Sequence, residues 1–202
     1  MWSLLQRKTQ LLIIVSASIL SAWGLEAVWF WCLGEQTTPL KWISFAVSIV
    51  GVVMVGAADL FWFRLARIVP YMQTKMFPDL NGDWDGHLKS TWMDPETGTT
   101  LPLIRANLKI RQTFFTTSVT WKMGESFSKS TRVFLEPDYE NRRYRLWYSY
   151  NNDPQAQFSH RSSPHEGVAY LDLDWDTDRN RLTGTYYTAR KTTGDMDVRR
   201  QP

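Results

Sequence analysis

Beyond residue 90 this 202-residue chain carries a set of side chains suited to holding a small polar ligand: Trp92, Tyr148, Tyr150, His165, Tyr186, Thr188, Arg190 and Thr192. Aromatic planes stack on bases, an arginine fork matches phosphate, and hydroxyls add hydrogen bonds. Gathered at one place, these residues would make a small-nucleotide site. Dispersed, the tyrosines would be core packing and Arg190 a solvated turn residue. Other chemistries fit less well. The chain has no Gly-x-Ser-x-Gly elbow, P-loop, His-Glu-x-x-His or glycine-rich dinucleotide loop, so no enzyme is expected. The acidic run Asp172, Asp174, Asp176, Asp178 fails as a calcium loop, because Thr177 stands where glycine is needed and Thr183 where glutamate is needed. His160 and His165 lack a third metal ligand, and the single cysteine, Cys32, excludes an internal disulfide and a thiolate-rich metal site. No metal or resident cofactor is expected.

The elements that would position these residues fall into two phases. Between Leu11 and Phe63 the only formal charges are Glu26, Glu35, Lys41 and Asp59. Leu11 to Gly34 would form about 36 Å of helix and Trp42 to Phe63 about 33 Å, against a hydrocarbon core of about 30 Å. The expectation is a two-helix transmembrane hairpin over 1–63, a juxtamembrane linker over 64–78 and a cytosolic domain over 79–202. Arg7 and Lys8 before the first span, and Arg64, Arg67 and Lys75 after the second, place both termini in the cytoplasm by the positive-inside rule. Small residues share a face in each span, Ala17, Ser21 and Gly24 in the first and Ser44, Ser48 and Gly51 in the second. Such seams pack a hairpin or drive association between chains. Glu26 and Asp59 either snorkel or line a polar seam in a homo-oligomer. Glu26, Ser48, Gly51 and Asp59 are therefore the candidate membrane-assembly residues. From Arg64 onward the basic excess is only three, too small for binding long DNA or RNA.

From Asp79 on, apolar residues alternate with polar ones between Gly, Pro, Asn and Asp clusters. Strands are expected at 83–92, 103–115, 117–123, 128–136, 144–151, 165–173, 181–188 and 192–199, making an eight-stranded antiparallel up-and-down β-barrel. Parity turns Trp84, Leu108, Trp121, Leu146, Tyr148, Tyr150, Ala169, Tyr186 and Met196 inward, together with Gly86, Gly167, Gly184 and Gly194. Those glycines mark either bends for closure or room for a ligand. The longer loops, 93–100 and 151–164, lie at one end with the 189–192 hairpin, and binding usually lives in such loops.

Gly82-Asp83-Trp84 resembles the Gly-x-Trp that opens lipocalin-like barrels, in which a basic side chain from the last strand, here Arg199 or Arg200, covers the indole. The whole chain resembles the two-transmembrane, β-strand-rich effectors of bacterial cyclic-oligonucleotide (CBASS-like) anti-phage defence. The likeness is carried by Gly82-Asp83-Trp84-Asp85-Gly86, Tyr148-Ser149-Tyr150-Asn151-Asn152-Asp153-Pro154, His165-Glu166-Gly167 and Leu182-Thr183-Gly184-Thr185-Tyr186-Tyr187-Thr188-Ala189-Arg190. The resemblance implies a barrel that senses a cyclic di- or trinucleotide as regulatory ligand and controls spans that disrupt the bilayer, the ligand either activating or restraining. A membrane-tethered lipid- or metabolite-binding barrel is the alternative.

Overall fold

In the computed structural model the described residues are 6–34, 42–43, 45–53, 56, 78–93, 97–100, 102–160 and 162–202. Two compact units divide at Val69 and Pro70.

In the second unit the period-two pattern becomes eight strands: β1 Gly82–Ser90, β2 Ile104–Gln112, β3 Thr117–Met123, β4 Ser126–Asp138, β5 Arg143–Pro154, β6 His165–Asp174, β7 Arg181–Thr188 and β8 Thr193–Arg200. Each pairs antiparallel with the next, and β1 pairs with β8 from Trp84 opposite Arg200 to Ser90 opposite Gly194, closing the barrel. Closure leaves no first or last edge to aggregate. The β4–β5 pairing slips between Ser130 and Arg132. Just there the Val119 amide donates to Ser130 Oγ at 2.9 Å, so a side chain stands in for a ladder carbonyl. On the outer face Arg145 grips Asp172 through two nitrogens at 2.7 and 2.8 Å and lies over the Tyr170 ring at 4.1 Å.

The interior is filled at the end where the chain enters. Trp84 is fully buried, its indole N–H donates to the Leu80 carbonyl at 3.2 Å, and the Arg200 guanidinium lies 4.7 Å above the ring. Arg200 also donates to the Asp79 carbonyl. Leu80, Leu108, Ile110, Val119, Tyr144, Leu171, Leu173 and Val198 pack around the indole's end of the core. Two of the inward glycines serve close backbone approach. A Cβ on Gly86 would stand 2.0 Å from the Asp197 carbonyl oxygen, and one on Gly184 1.9 Å from that of Tyr170.

In the first unit, α1 (Arg7–Leu33) is an apolar helix of 27 residues ending at Gly34 in the left-handed conformation. Among the described residues it alone is long and apolar enough to cross a membrane. The expected two-span hairpin is corrected here. Within Trp42 to Phe63 the described residues 43, 45–53 and 56 are helical, and among the described residues they make no second helix long and apolar enough to cross a membrane. Apolar length is necessary for a span, but it does not by itself make a helix. This stretch carries β-branched Ile49, Val50, Val52 and Val53 together with Gly51 and Gly56, all weaker helix formers than the leucines of α1. A multi-pass topology, and with it the placing of both termini on the cytoplasmic side, loses its basis. Glu26 is half-buried on α1, while Ser48 and Gly51 are exposed beside buried Ala46 and Val50. Asp59, the 35–41 connection and linker residues 64–77 lie outside the described residues.

Candidate functional site: a cup at the open end of the barrel

Opposite the Trp84 plug the barrel interior opens into a cavity of about 450 Å³. That is within the range of about 300–1,000 Å³ common to small-molecule sites. Inward-facing residues on all eight strands line it. β5 contributes Tyr148, Tyr150 and Asn152, β7 contributes Tyr186 and Thr188, and β1, β3 and β8 contribute Leu88, Trp121 and Met196. At the floor the Trp121 indole donates to the Tyr148 hydroxyl at 2.9 Å, and that hydroxyl donates to Met196 Sδ at 3.7 Å. Tyr148 is thereby fixed as floor, with the Tyr150 ring 6.0 Å above it, centroid to centroid.

The other two inward glycines are seats for tyrosines. A Cβ on Gly167 would come within 2.4 Å of the Tyr150 ring and hydroxyl and 2.5 Å of the Tyr187 carbonyl oxygen, and one on Gly194 within 2.6 Å of the Tyr186 ring and 2.5 Å of the Lys89 carbonyl oxygen. Neither glycine leaves room for a ligand directly. Each lets an aromatic ring approach a neighbouring strand closely, and those rings wall the cup.

The tight β7–β8 turn supplies the rim. Lys191 adopts φ 61°, its amide donates to the Thr188 carbonyl at 3.0 Å, and the Thr188 and Thr192 hydroxyls meet at 2.6 Å. This geometry directs Arg190 over the cup. Its Nη1 donates to Ser162 Oγ at 3.3 Å and its Nη2 reaches His165 Nε2 at 3.4 Å, while Nε is buried without a partner. Among the described residues no carboxylate pairs with Arg190. His165 Nδ1 lies 3.1 Å from the Ser163 carbonyl, so Nδ1–H donates there and the Nε2 lone pair faces Arg190. Desolvation lowers the His165 pKa, and Arg190 lowers it further, keeping the imidazole neutral. Burial also depresses Arg190, against the pull of Tyr150 and Tyr186, though a guanidinium keeps its charge. Tyr148, Tyr150 and Tyr186 are raised by burial and remain neutral hydroxyls.

The structure brings together Trp92, Tyr148, Tyr150, His165, Tyr186, Thr188, Arg190 and Thr192 around this one cavity. Of these, Tyr148 is floor and Trp92 is half-buried at the rim, where its amide donates to Ser90 Oγ at 3.1 Å. Sequence reasoning passed over Ser90, Ser128 and Asn152, buried polar residues that also line the cup. Parity would have found Ser90 and Asn152, which continue the inward series of β1 and β5 past the last apolar member, whereas Ser128 has the opposite parity to Val133 and Leu135 and turns inward through the slip between Ser130 and Arg132. Arg105, on the rim, had no such signal because its parity is outward.

Residues 75–200 match the family model described as Cap15, cyclic dinucleotide receptor domain. CD-NTase-associated protein 15 of Staphylococcus schleiferi is 27% identical over 171 residues, which cover 84% of each chain. These likenesses agree with the resemblance to the cyclic-oligonucleotide defence effectors and support cyclic oligonucleotide binding in anti-phage defence, a receptor's role rather than a catalyst's. The match spans the whole barrel and the cup within it, and the chain belongs to the Cap15 cyclic dinucleotide receptor family.

Proposed function

We propose that the cup binds a cyclic dinucleotide, with its bases between the tyrosine walls and a phosphate at Arg190, and that ligand state controls the association of apolar N-terminal segments in the inner membrane. The observation that carries the binding reading is Arg190 itself. A partly desolvated guanidinium with no carboxylate partner among the described residues and an idle Nε sits over an aromatic cup. Phosphate supplies the charge and acceptors this cation lacks, and charge-assisted bonds of this kind are among the strong ones. The rival reading, a lipid or apolar metabolite, is disfavoured by the buried Ser90, Ser128 and Asn152 in the wall.

Output through the membrane rests on α1. A single apolar helix cannot enclose an aqueous path, so any loss of bilayer integrity requires several chains. A ligand shifts that assembly only by its difference in affinity between the dispersed and assembled forms. Calorimetric titration of the full chain in detergent with cyclic dinucleotides tests the binding reading. Saturable heat that falls at least tenfold in affinity with Arg190→Ala supports it, and absence of heat across a panel of such ligands refutes it. The membrane reading is tested by membrane potential in cells expressing the full chain or the chain without residues 1–69. Equal toxicity of the two, or an unchanged potential under every ligand condition, refutes it.

A further inference from the structure

We propose that the outer face of β2, β3 and β4 docks on the anionic headgroups of a lipid bilayer; the inference rests on the membrane part of the reading above and on none of its nucleotide part. Six exposed cations, Arg105, Lys109, Arg111, Lys122, Lys129 and Arg132, occupy these strands. Register gathers them. Lys109 lies opposite Thr120 and Thr120 opposite Lys129, Lys122 follows Thr120 by two residues, and Arg111 lies opposite Ser118. At about 4.8 Å between strands and about 3.4 Å per residue, the face measures roughly 10 by 20 Å. β2 and β3 contain no acidic residue, and β4 contains none before Glu136. Acid stands at the borders of the face, in Asp83 and Asp85 on β1, Glu125 in the β3–β4 turn and Asp153 on β5.

Elsewhere the barrel neutralises its arginines locally. Arg142, Arg143, Arg145, Arg181 and Arg199 each meet an aspartate oxygen at 3.4 Å or less. On the β2–β4 face Lys109 and Arg111 share Asp83 at 3.7 and 3.6 Å, and among the described residues Arg105, Lys122, Lys129 and Arg132 have no ion-pair partner. Like charges gathered on neighbouring strands repel one another, so meeting an anionic surface relieves this face. Exposed aromatics accompany the cations. Phe127 is 39% exposed with Lys122 Nζ 5.9 Å from its ring, and Phe134 is 58% exposed and stacked on Trp147 of β5. Cations beside exposed aromatic rings are the composition of a contact at headgroup level. The apolar helix α1, long enough to cross a membrane, makes a bilayer the extended anionic surface that this chain meets.

The test reconstitutes the full chain in nanodiscs of phosphatidylcholine, with or without about one-third phosphatidylglycerol, and follows lysine acetylation by mass spectrometry. Lys109, Lys122 and Lys129 should react at least about fivefold more slowly in the anionic discs, because each Lys or Arg near an anionic surface is worth about fivefold in partitioning. Lys191, in the β7–β8 turn, should react equally in both. Salt at about 1 M, where screening acts within about 3 Å, should remove the difference. Arg105→Glu combined with Arg132→Glu should also remove it, without lowering the melting temperature. Equal rates in the two discs, or equal slowing at Lys191, overturns the inference. Slowing by a single-stranded oligonucleotide but not by the lipid assigns the face to nucleic acid and overturns it as well. Failure of the chain to co-purify with either disc overturns the membrane reading along with this one.

Discussion

Replacing Gly167 with alanine should disable the cup by moving one ring. The added Cβ would lie 2.4 Å from Tyr150 Cζ and hydroxyl and 2.5 Å from the Tyr187 carbonyl oxygen. Non-bonded carbons settle at about 3.5–4.0 Å, so the ring must retreat by more than about 1 Å. Tyr187 is held opposite Val168 in the β6–β7 ladder and yields little, which leaves the cavity as the direction of retreat. Overpacking of this kind costs about 1–3 kcal/mol of stability. At roughly 4 °C per kcal/mol the melting temperature should fall by several degrees. The displaced ring no longer offers its face, and a base stacked on an aromatic contributes about 1–3 kcal/mol, so affinity for a cyclic dinucleotide should drop about 5- to 150-fold. Calorimetry well below the lower melting temperature separates the two effects. A double-mutant cycle with Tyr150→Ala identifies the route, because contacting residues are not additive. In the Tyr150→Ala background Gly167→Ala should cost little further affinity. Wild-type affinity in Gly167→Ala, or an undiminished loss in the double variant, would refute the seat.

Three further outcomes follow from the same geometry. Arg190→Ala should weaken binding about 10- to 150-fold, the worth of a charge-assisted bond, and flatten the salt dependence of affinity, without lowering the melting temperature of the unliganded chain; a destabilised variant with intact affinity would make Arg190 structural. His165 has a folded-state pKa depressed by burial, so its unfolded state takes up the proton first as pH falls. Its contribution to stability is complete above about pH 6.5 and is lost as pH falls from there through the folded-state value, so the melting temperature should decline over that window and His165→Gln should flatten the decline; an identical pH profile in both proteins would contradict the neutral imidazole. Trp84→Ala should cost about 3–5 kcal/mol of stability by emptying the plug, yet leave ligand affinity of the folded fraction unchanged; a selective loss of affinity would tie the plug to the cup.

The barrel was legible because its apolar residues alternate in two-residue steps over eight segments, and parity alone turned Tyr148, Tyr150 and Tyr186 inward. It also left a choice of cover for Trp84, and register decides it, since Arg200 lies opposite Trp84 and Arg199 opposite Asp85. Glycine was harder to read. All four inward glycines admit a neighbouring backbone, and Gly167 and Gly194 admit a tyrosine ring as well, an added use that nothing local in the sequence marks. Asn152 was missed because residue type suggested the outside while parity placed it inside, and Ser128 because the slip between Ser130 and Arg132 reverses the parity of β4. The contact of Arg190 with Ser162 depends on how the β5–β6 connection folds back, a long-range fact that strand periodicity does not carry. The hairpin failed for a different reason: hydropathy measured apolar length, and only α1 turns that length into a continuous helix among the described residues.

The most direct test of the central claim is a crystal structure of the protein with a cyclic dinucleotide bound. Binding in the cup predicts nucleotide density between Tyr150 and Tyr186, with a phosphate oxygen within about 3.2 Å of the Arg190 guanidinium. Density for the ligand on the outer face of the barrel, with the cup unchanged, would contradict it.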